Sequence, residues 1–522
     1  MFAPAALTAA RLSSSVCALA MAFVCAGSAF VHQAVAADAC DPNASLSVLA
    51  FKEQPTLDPA KTVGPVSDGT RFWLYDTLIR TTPDGLLAPG LATEWKFTTP
   101  TEFTLQLRKG VVFHDGAPFN AAAVKATFER NKSFPGVTAS WTQPMAGVKA
   151  VVASGEYEVK YQLSAPNPAF AFALTAAAGM VVSPAALKQP LDLTAVGTGP
   201  FKLVKYTPNS GTDLVRNDQY WDKEALACSP KTVRLMDIAD TQALLNAVVN
   251  GQLHISRVDP NQVAQAKGAG LVVNSVTTAS IHSFLFDFKN PALKNPLVRK
   301  AMMYAVDRNA LAKGLGLGLA VPDVQMFPPD FYAYNTAPEF QPDAYKYDPA
   351  KAKQLLTQAG FPNGVKFKVL LYAFPFDQSL IQAIQAQMGK AGIALEPQII
   401  SNYQSFLNRQ GDMFFGTGSG RPDPFDFVQA QISANGVYNP EGFPVSPEIA
   451  ADLAQIAKTD PADANRQKLL QHVSGLITED ARLVPILALK FNWVLNKCVV
   501  NFKPPRFGAL QPAGLGWKAG CK

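Results

Sequence analysis

Two places in the chain combine side-chain types and spacing that could do chemistry. In Phe414 to Phe427, FFGTGSGRPDPFDF, Arg421 and Asp423 stand two apart beside Gly416, Gly418 and Gly420. A guanidinium grips a carboxylate or phosphate through two parallel hydrogen bonds, and glycines let a small molecule approach the backbone, so the stretch reads as a binding segment. Asp423 can equally take an amine, or hold Arg421 in a self-contained ion pair. At His114-Asp115-Gly116 a carboxylate could orient an imidazole for proton transfer. No nucleophile accompanies that pair and Asp-Gly is turn chemistry, so a turn is predicted there.

The other signatures of catalysis and metal binding do not occur in the sequence. His254, His282 and His472 are scattered, and there is no H-E-x-x-H, EF-hand or C-x-x-C spacing. Gly316-Leu317-Gly318 is not a phosphate loop, and Gly418-Ser419-Gly420 fails as a nucleophile elbow because Thr417 stands where glycine is required. The reading calls for no cofactor, no metal and no catalytic set.

The elements that must position the binding segment are legible from punctuation. With 522 residues the chain can bury more than one core, because single cores stop growing near ~250–300 residues. The formal charge of +6 is too mild and too evenly spread to argue for nucleic acid. Residues 1–37 carry Arg11, an apolar run and Ala34-Val35-Ala36, which predicts a cleaved secretory signal. Cys17 and Cys25 leave with it. Cys40, Cys228, Cys498 and Cys521 remain, an even number that permits three pairings in an oxidising compartment.

Further along, Leu46 to Phe51 reads as a strand followed by the proline-bounded loop Gln54-Pro55-Thr56-Leu57-Asp58-Pro59. Asn120 caps a helix from Ala121 to Arg130, and Phe134 to Pro144, with Trp141, reads as a loop. Pro166 to Val182 is apolar and alanine-rich. Gly197 to Trp221, GTGPFKLVKYTPNSGTDLVRNDQYW, reads as a hairpin with an aromatic close. Ser275 to Phe288 is an extended run, and Asn295, Asp307 and Asp348 cap successive helices, the first burying Leu297, Ala301 and Ala305. Val365 to Tyr372, Ile381 to Lys390 and Ile393 to Ile400 form a βαβ unit. Two short strands are predicted at Val484 to Leu487 and Trp493 to Leu495.

The hairpin, the order LAxxW to LRKGVxFHDGxPF, and the phrases VRKAMMYAVDRNAL and YDPAKAKQLLTQAGFPNG resemble the extracytoplasmic solute-binding proteins of peptide-type ABC importers. That is solute-binding protein family 5, the dipeptide- and oligopeptide-binding group. The resemblance covers nearly the whole mature chain. It implies an α/β, type II periplasmic-binding-protein-like fold, with two large lobes joined by a two-strand hinge plus an inserted third lobe. Lobe I would comprise 38–72, 191–278 and 485–522, the inserted lobe 73–190, and the other large lobe 279–484. It implies Pro166 to Val182 as a helix leading into a short strand, and a hinge near Thr277 to Phe284. It further implies disulfides Cys40 with Cys228 and Cys498 with Cys521, and a monomer in the periplasm that delivers a peptide or peptide-like solute to a permease driven by a separate ATPase.

Ligand contacts are expected at Gln54, Thr56, Trp141, Phe374, Ser419, Arg421 and Asp423. Peptide binders of this group usually place an aromatic and then an Asp in the binding segment, the Asp holding the ligand's ammonium. Here Gly416 and Ser419 stand at those places, so the group's acid for a free amine does not carry over to this chain, and Asp423 is the nearby acid that could take one. The alternatives are a secreted hydrolase using the same cleft, or a binding lobe serving sensing or chaperoning.

Overall fold

The computed structural model describes residues 40–521 apart from 51–55, 63–68, 84, 209, 239, 373–374, 401–404, 406–407, 409, 418–422, 434–435, 437–438, 440–441 and 508–509. The predicted signal therefore lies outside the described residues.

The frame is an 11-stranded sheet in which two long strands are shared by two halves. The first crossing strand is Val272–Phe286 and the second is Val484–Leu495. They pair antiparallel from Val272 with Leu495 to Thr277 with Lys490. Pairing resumes at Ile281 with Ala488, after a register break between Thr277 and Ile281. On one flank, Met413–Thr417 adds to the far half of the first crossing strand, followed by Val365–Tyr372 and then Ile393–Ile400, both parallel to it. On the other flank, Ile255–Val258 adds to the near half of the second crossing strand. Ser45–Ala50, Thr232–Asp237 and the hairpin Gly211–Arg216 with Phe201–Thr207 complete that side.

The second crossing strand corrects one expectation, because Val484 to Leu495 is one continuous strand and not two short ones. The one turn-favouring residue between Leu487 and Trp493 is Asn492, whose Oδ1 accepts from the Ser275 hydroxyl at 2.7 Å across the strand pair, and Pro485, which has no N–H to donate, sits beside the register shift at Ser283. Its carbonyl accepts from the buried Arg308 Nε at 2.9 Å. A second correction concerns Pro166 to Val182. Only Phe170–Ala173 and a short turn at Ala177–Gly179 are helical, and Met180 makes a single bridge to Thr77. The chain turns back so tightly that a Cβ on Gly179 would collide with the Leu174 carbonyl.

Helix starts follow the caps. Asn120, Asn295, Asp307, Asp348 and Asp463 each accept a backbone N–H from the first turn of the helix they precede. In Pro296–Tyr304 the buried stripe is Val298, Ala301 and Met302, with Ala305 just beyond; Leu297 is half-buried, one position off the predicted face.

The apolar side chains fall into separate cores. Leu46, Trp73, Phe201, Val233 and Trp493 pack under the first half-sheet, and Phe284, Met302, Val369, Ile384 and Phe415 under the second. Phe103, Val124, Phe128, Tyr161 and Phe170 build another core over a four-stranded antiparallel sheet within the 73–190 block.

Cys40 is bonded to Cys228 with Cα atoms 5.4 Å apart, and Cys498 to Cys521 at 5.7 Å. The first bridge closes a separation of 188 residues, for which the chain-entropy treatment gives a ceiling of about 5 kcal/mol. Replacing both Cys40 and Cys228 by serine is expected to cost about 2–5 kcal/mol, read as the loss of unfolding free energy in urea. A loss below 1 kcal/mol would contradict this.

Candidate functional site

Strand directions locate the site. In the first half-sheet, Ser45–Ala50 and Ile255–Val258 run parallel to each other and in the same sense as the first crossing strand, so their carboxyl ends point at the register break. In the second half-sheet Met413–Thr417 runs opposite to the first crossing strand, placing Thr417 beside His282, and Val365–Tyr372 runs with it. Their carboxyl ends therefore point back at the same break. Open α/β sheets bind ligands beyond the carboxyl ends of their strands, and here two such edges face each other across two connecting strands.

The predicted contacts distribute as follows. Segment 51–55, with Gln54, follows the end of Ser45–Ala50; Phe374 follows Val365–Tyr372; Ser419 and Arg421 follow Met413–Thr417. These four residues lie outside the described residues, but the strand ends that lead into them converge. Thr56 is buried, with its hydroxyl accepting from the Asp58 N–H at 3.1 Å and its carbonyl accepting from Arg71 Nη2 at 2.7 Å. Asp58 is in turn held in a two-pronged ion pair by Arg130, at 3.0 and 2.6 Å, which fixes the loop to the helix Ala121–Ser133.

Two candidates are corrected. Trp141 lies in a helix, Ala139–Met145, not a loop; it is 4% exposed and packs on Phe128 with ring centroids 5.8 Å apart. Its large apolar ring is part of the core that Phe128, Tyr161 and Phe170 build. Asp423 is 1% exposed and fully occupied. Its two oxygens take Arg466 Nη1 and Nη2 at 3.0 and 2.8 Å, and Oδ1 also takes the Phe425 N–H as cap of the helix Pro424–Ile432. It anchors the exit of the binding segment through Arg466, and neither a ligand amine nor Arg421 is needed to satisfy it.

His114-Asp115-Gly116 is a turn, with Gly116 at φ +86°. His114 Nε2 bonds with the Gly199 carbonyl at 3.0 Å, and burial pulls its pKa down to about 4. Asp115 accepts from the Ala117 N–H and from the Ser183 hydroxyl.

Sequence reasoning missed three groups, two of them beside the crossing. His282, just past the register break, bonds through Nε2 with Asp377 Oδ1 at 2.8 Å, both buried, between the rings of Phe376 and Phe415. The signal was a lone histidine in the apolar run ASIHSFLF, followed by an acid in the first turn after Phe374. Arg257, near the carboxyl end of Ile255–Val258, lies 3.5 Å over the Phe491 ring, and burial lowers its pKa to about 10. Arg466 had no local signal. Among the described residues no group of three His, Cys, Asp or Glu side chains could hold a metal ion, and no helix is long and apolar enough to cross a membrane.

A buried acid in the second lobe yields a pH prediction. Asp323 Oδ1 accepts the Val324 and Gln325 N–H groups at 2.7 and 2.9 Å. Burial holds its pKa well above the ordinary carboxylate value, outweighing the charge of nearby Arg308. Below about pH 4 both folded and unfolded chains carry this proton. Above it only the folded chain does, so stability falls as pH rises. Asp323→Asn keeps Oδ1 and removes the titration. Its stability relative to the parent is expected to improve steadily from pH 4 to pH 8 in urea unfolding; a difference that is flat with pH would contradict this.

The comparisons agree with this geometry. The model of the bacterial extracellular solute-binding proteins, family 5 (Middle), matches residues 87–439. The glutathione-binding protein GsiB of Salmonella choleraesuis (strain SC-B67) is 27% identical over 419 residues, covering 77% of this chain and 80% of that protein. Among solved structures, the periplasmic binding protein DppA from Helicobacter pylori in complex with the peptide STSA superposes with a TM-score of 0.75 at 23% identity, covering 92% of this chain and 99% of that one. AgaA from Agrobacterium tumefaciens R10 in complex with agropinic acid gives 0.74 at 24% identity, covering 91% and 99%. With more than half its length matched by the family model and the same two-lobed fold in its structural neighbours, the chain belongs to the bacterial extracellular solute-binding proteins of family 5.

Proposed function

We propose that this protein is exported to the periplasm after removal of residues 1–37. There it acts as a monomer, closes its two lobes over a carboxylate-bearing peptide or peptide-like conjugate, and presents the closed form to the permease of an ABC importer powered by a separate ATPase. Lobe I is taken as 38–72, 191–278 and 485–522, the inserted lobe as 73–190 and the second large lobe as 279–484. The observation that carries the reading is the pair of strand-end edges facing one another across two shared strands. A solute between them is gripped from both sides only when the lobes approach, which is the differential affinity that closure requires.

In this reading Arg421 takes the carboxylate, with Gln54, Thr56, Phe374 and Ser419 forming the wall. The absence of an acid at Ser419 favours conjugates over ligands held by a free ammonium. The ligands in the printed names of relatives, glutathione, the peptide STSA and agropinic acid, set the first panel to test, with neutral sugars as the control. In isothermal titration a member of this carboxylate-bearing panel should bind one to one, and Arg421→Ala should weaken it at least tenfold. Tight binding of a neutral sugar, unaffected by Arg421→Ala, would overturn the assignment.

A further inference from the structure

We propose that the C-terminal segment Phe502 to Phe507 is a third tie between the lobes, one that sets how far they swing; the inference rests on the closure reading above. Phe502 belongs to the first lobe, its ring 5.3 Å from that of Trp493. Five residues later Phe507 packs on Phe331, centroids 5.6 Å apart, in the core that Phe327, Phe425 and Val428 build in the second lobe. Leu510 is back in the first core. The segment therefore leaves one lobe, touches the other and returns.

Where it crosses, it is fastened at the point of bending. The Arg506 carbonyl accepts the Ala279 N–H at 3.3 Å, and Ala279 lies inside the register break between Thr277 and Ile281. The Arg506 guanidinium binds the Asp330 carboxylate at 2.7 Å and the Asp330 carbonyl at 3.3 Å, one residue before Phe331. A backbone bond to the bending strand, an ion pair to one lobe and an aromatic anchor on each side are more than a chain end needs merely to finish its own lobe. Rotation of the lobes about the break moves Phe331 and Asp330 relative to Trp493, so the segment must stretch, slide or release. It limits the sampled angles, and through them the fraction of chains ready to close.

The test uses the full mature chain with spin labels at Val204→Cys and Ile399→Cys, two exposed positions on opposite outer strands of the sheet. Electron–electron distance distributions are recorded without added solute. Arg506→Ala and Phe507→Ala are expected to widen the distribution at least twofold, and Asp330→Asn, which keeps the side-chain volume at a half-exposed position, by a smaller amount. Unchanged widths in Asp330→Asn and in whichever of the other variants folds would overturn the tie. Adding the small-molecule fraction released from natively purified protein to the labelled chain with Asp330, Arg506 and Phe507 intact reports closure separately. A shortened distance there with unaltered variant widths sinks the tie alone, whereas no shortening sinks the closure reading and the tie with it.

Discussion

Arg466→Met is expected to remove about 3–5 kcal/mol of unfolding free energy, the range for stripping one partner from a buried ion pair. Asp423 and Arg466 are both buried, and two hydrogen bonds, Nη1 to Oδ1 at 3.0 Å and Nη2 to Oδ2 at 2.8 Å, join them across the 43 residues that separate them. Without the guanidinium, the Asp423 carboxylate stays buried and loses its ion-pair partner, whereas its Oδ1 bond to the Phe425 N–H survives. Asp423→Asn in the same chain removes that charge, so the double variant should recover more than half of the loss. The pair also fastens the end of segment 418–422, so the single variant should weaken solute binding even where it remains folded. Urea midpoints by circular dichroism decide the matter: a single-variant loss below 1 kcal/mol, or a double variant no better than the single, would contradict it.

Asp76→Ala is expected to cost as much, by a different route. The Asp76 carboxylate takes four donors, Arg80 Nη2 at 2.7 Å, Tyr220 OH and Trp221 Nε1 at 2.9 Å, and Thr198 Oγ1 at 3.1 Å. Arg80 also reaches Asp222 at 3.0 Å and lies over the Trp221 ring, which Arg108 covers as well. One carboxylate thus joins the 73–190 block to the turn Gly197–Gly199 and to the aromatic end of the hairpin. Truncating it strands the Tyr220, Trp221 and Thr198 donors, leaves Arg80 only Asp222 as its carboxylate partner among the described residues, and should cost about 3–5 kcal/mol. Because side chains from Leu78 to Val181 build a core of their own, the loss should appear as an early, separate unfolding step for that core in hydrogen exchange. Asp76→Asn, which keeps the shape and loses the charge, should cost about 1–3 kcal/mol. A single cooperative transition in Asp76→Ala, unshifted from the parent, would rule the joint out.

These two networks mark where the sequence stopped being readable. The hairpin at Gly197 to Trp221, the capped helices and the βαβ unit ending at Ile400 were legible because caps and turn residues act within four positions of themselves. Gly197 and Gly199 were visible as punctuation, but their tighter duty was not: a Cβ on either would strike the backbone at Leu74. Asp423 was visible as a polar residue in a binding stretch, yet its partner lies 43 residues away on the helix Ala464–Glu479 and follows no local pattern. Trp141 was misplaced because an aromatic between prolines looks alike in a cleft wall and a core until the helix around it is known. The second crossing strand was split because its interior, Ala-Leu-Lys-Phe-Asn, alternates poorly; its course is fixed by pairing with a strand more than two hundred residues earlier. Ser419 and Arg421 stand out by residue type in the stretch Phe414 to Phe427, and the strands leading into their segment and into that of Phe374 have carboxyl ends that point at the same register break.

Native mass spectrometry of the protein purified from its host without denaturation tests the carrier assignment most directly. The account predicts a one-to-one adduct of a small acidic solute that is released on mild denaturation and binds again at the same mass after prolonged incubation. Recovery of that solute cleaved or otherwise altered by the protein would contradict carriage and point to catalysis in the cleft.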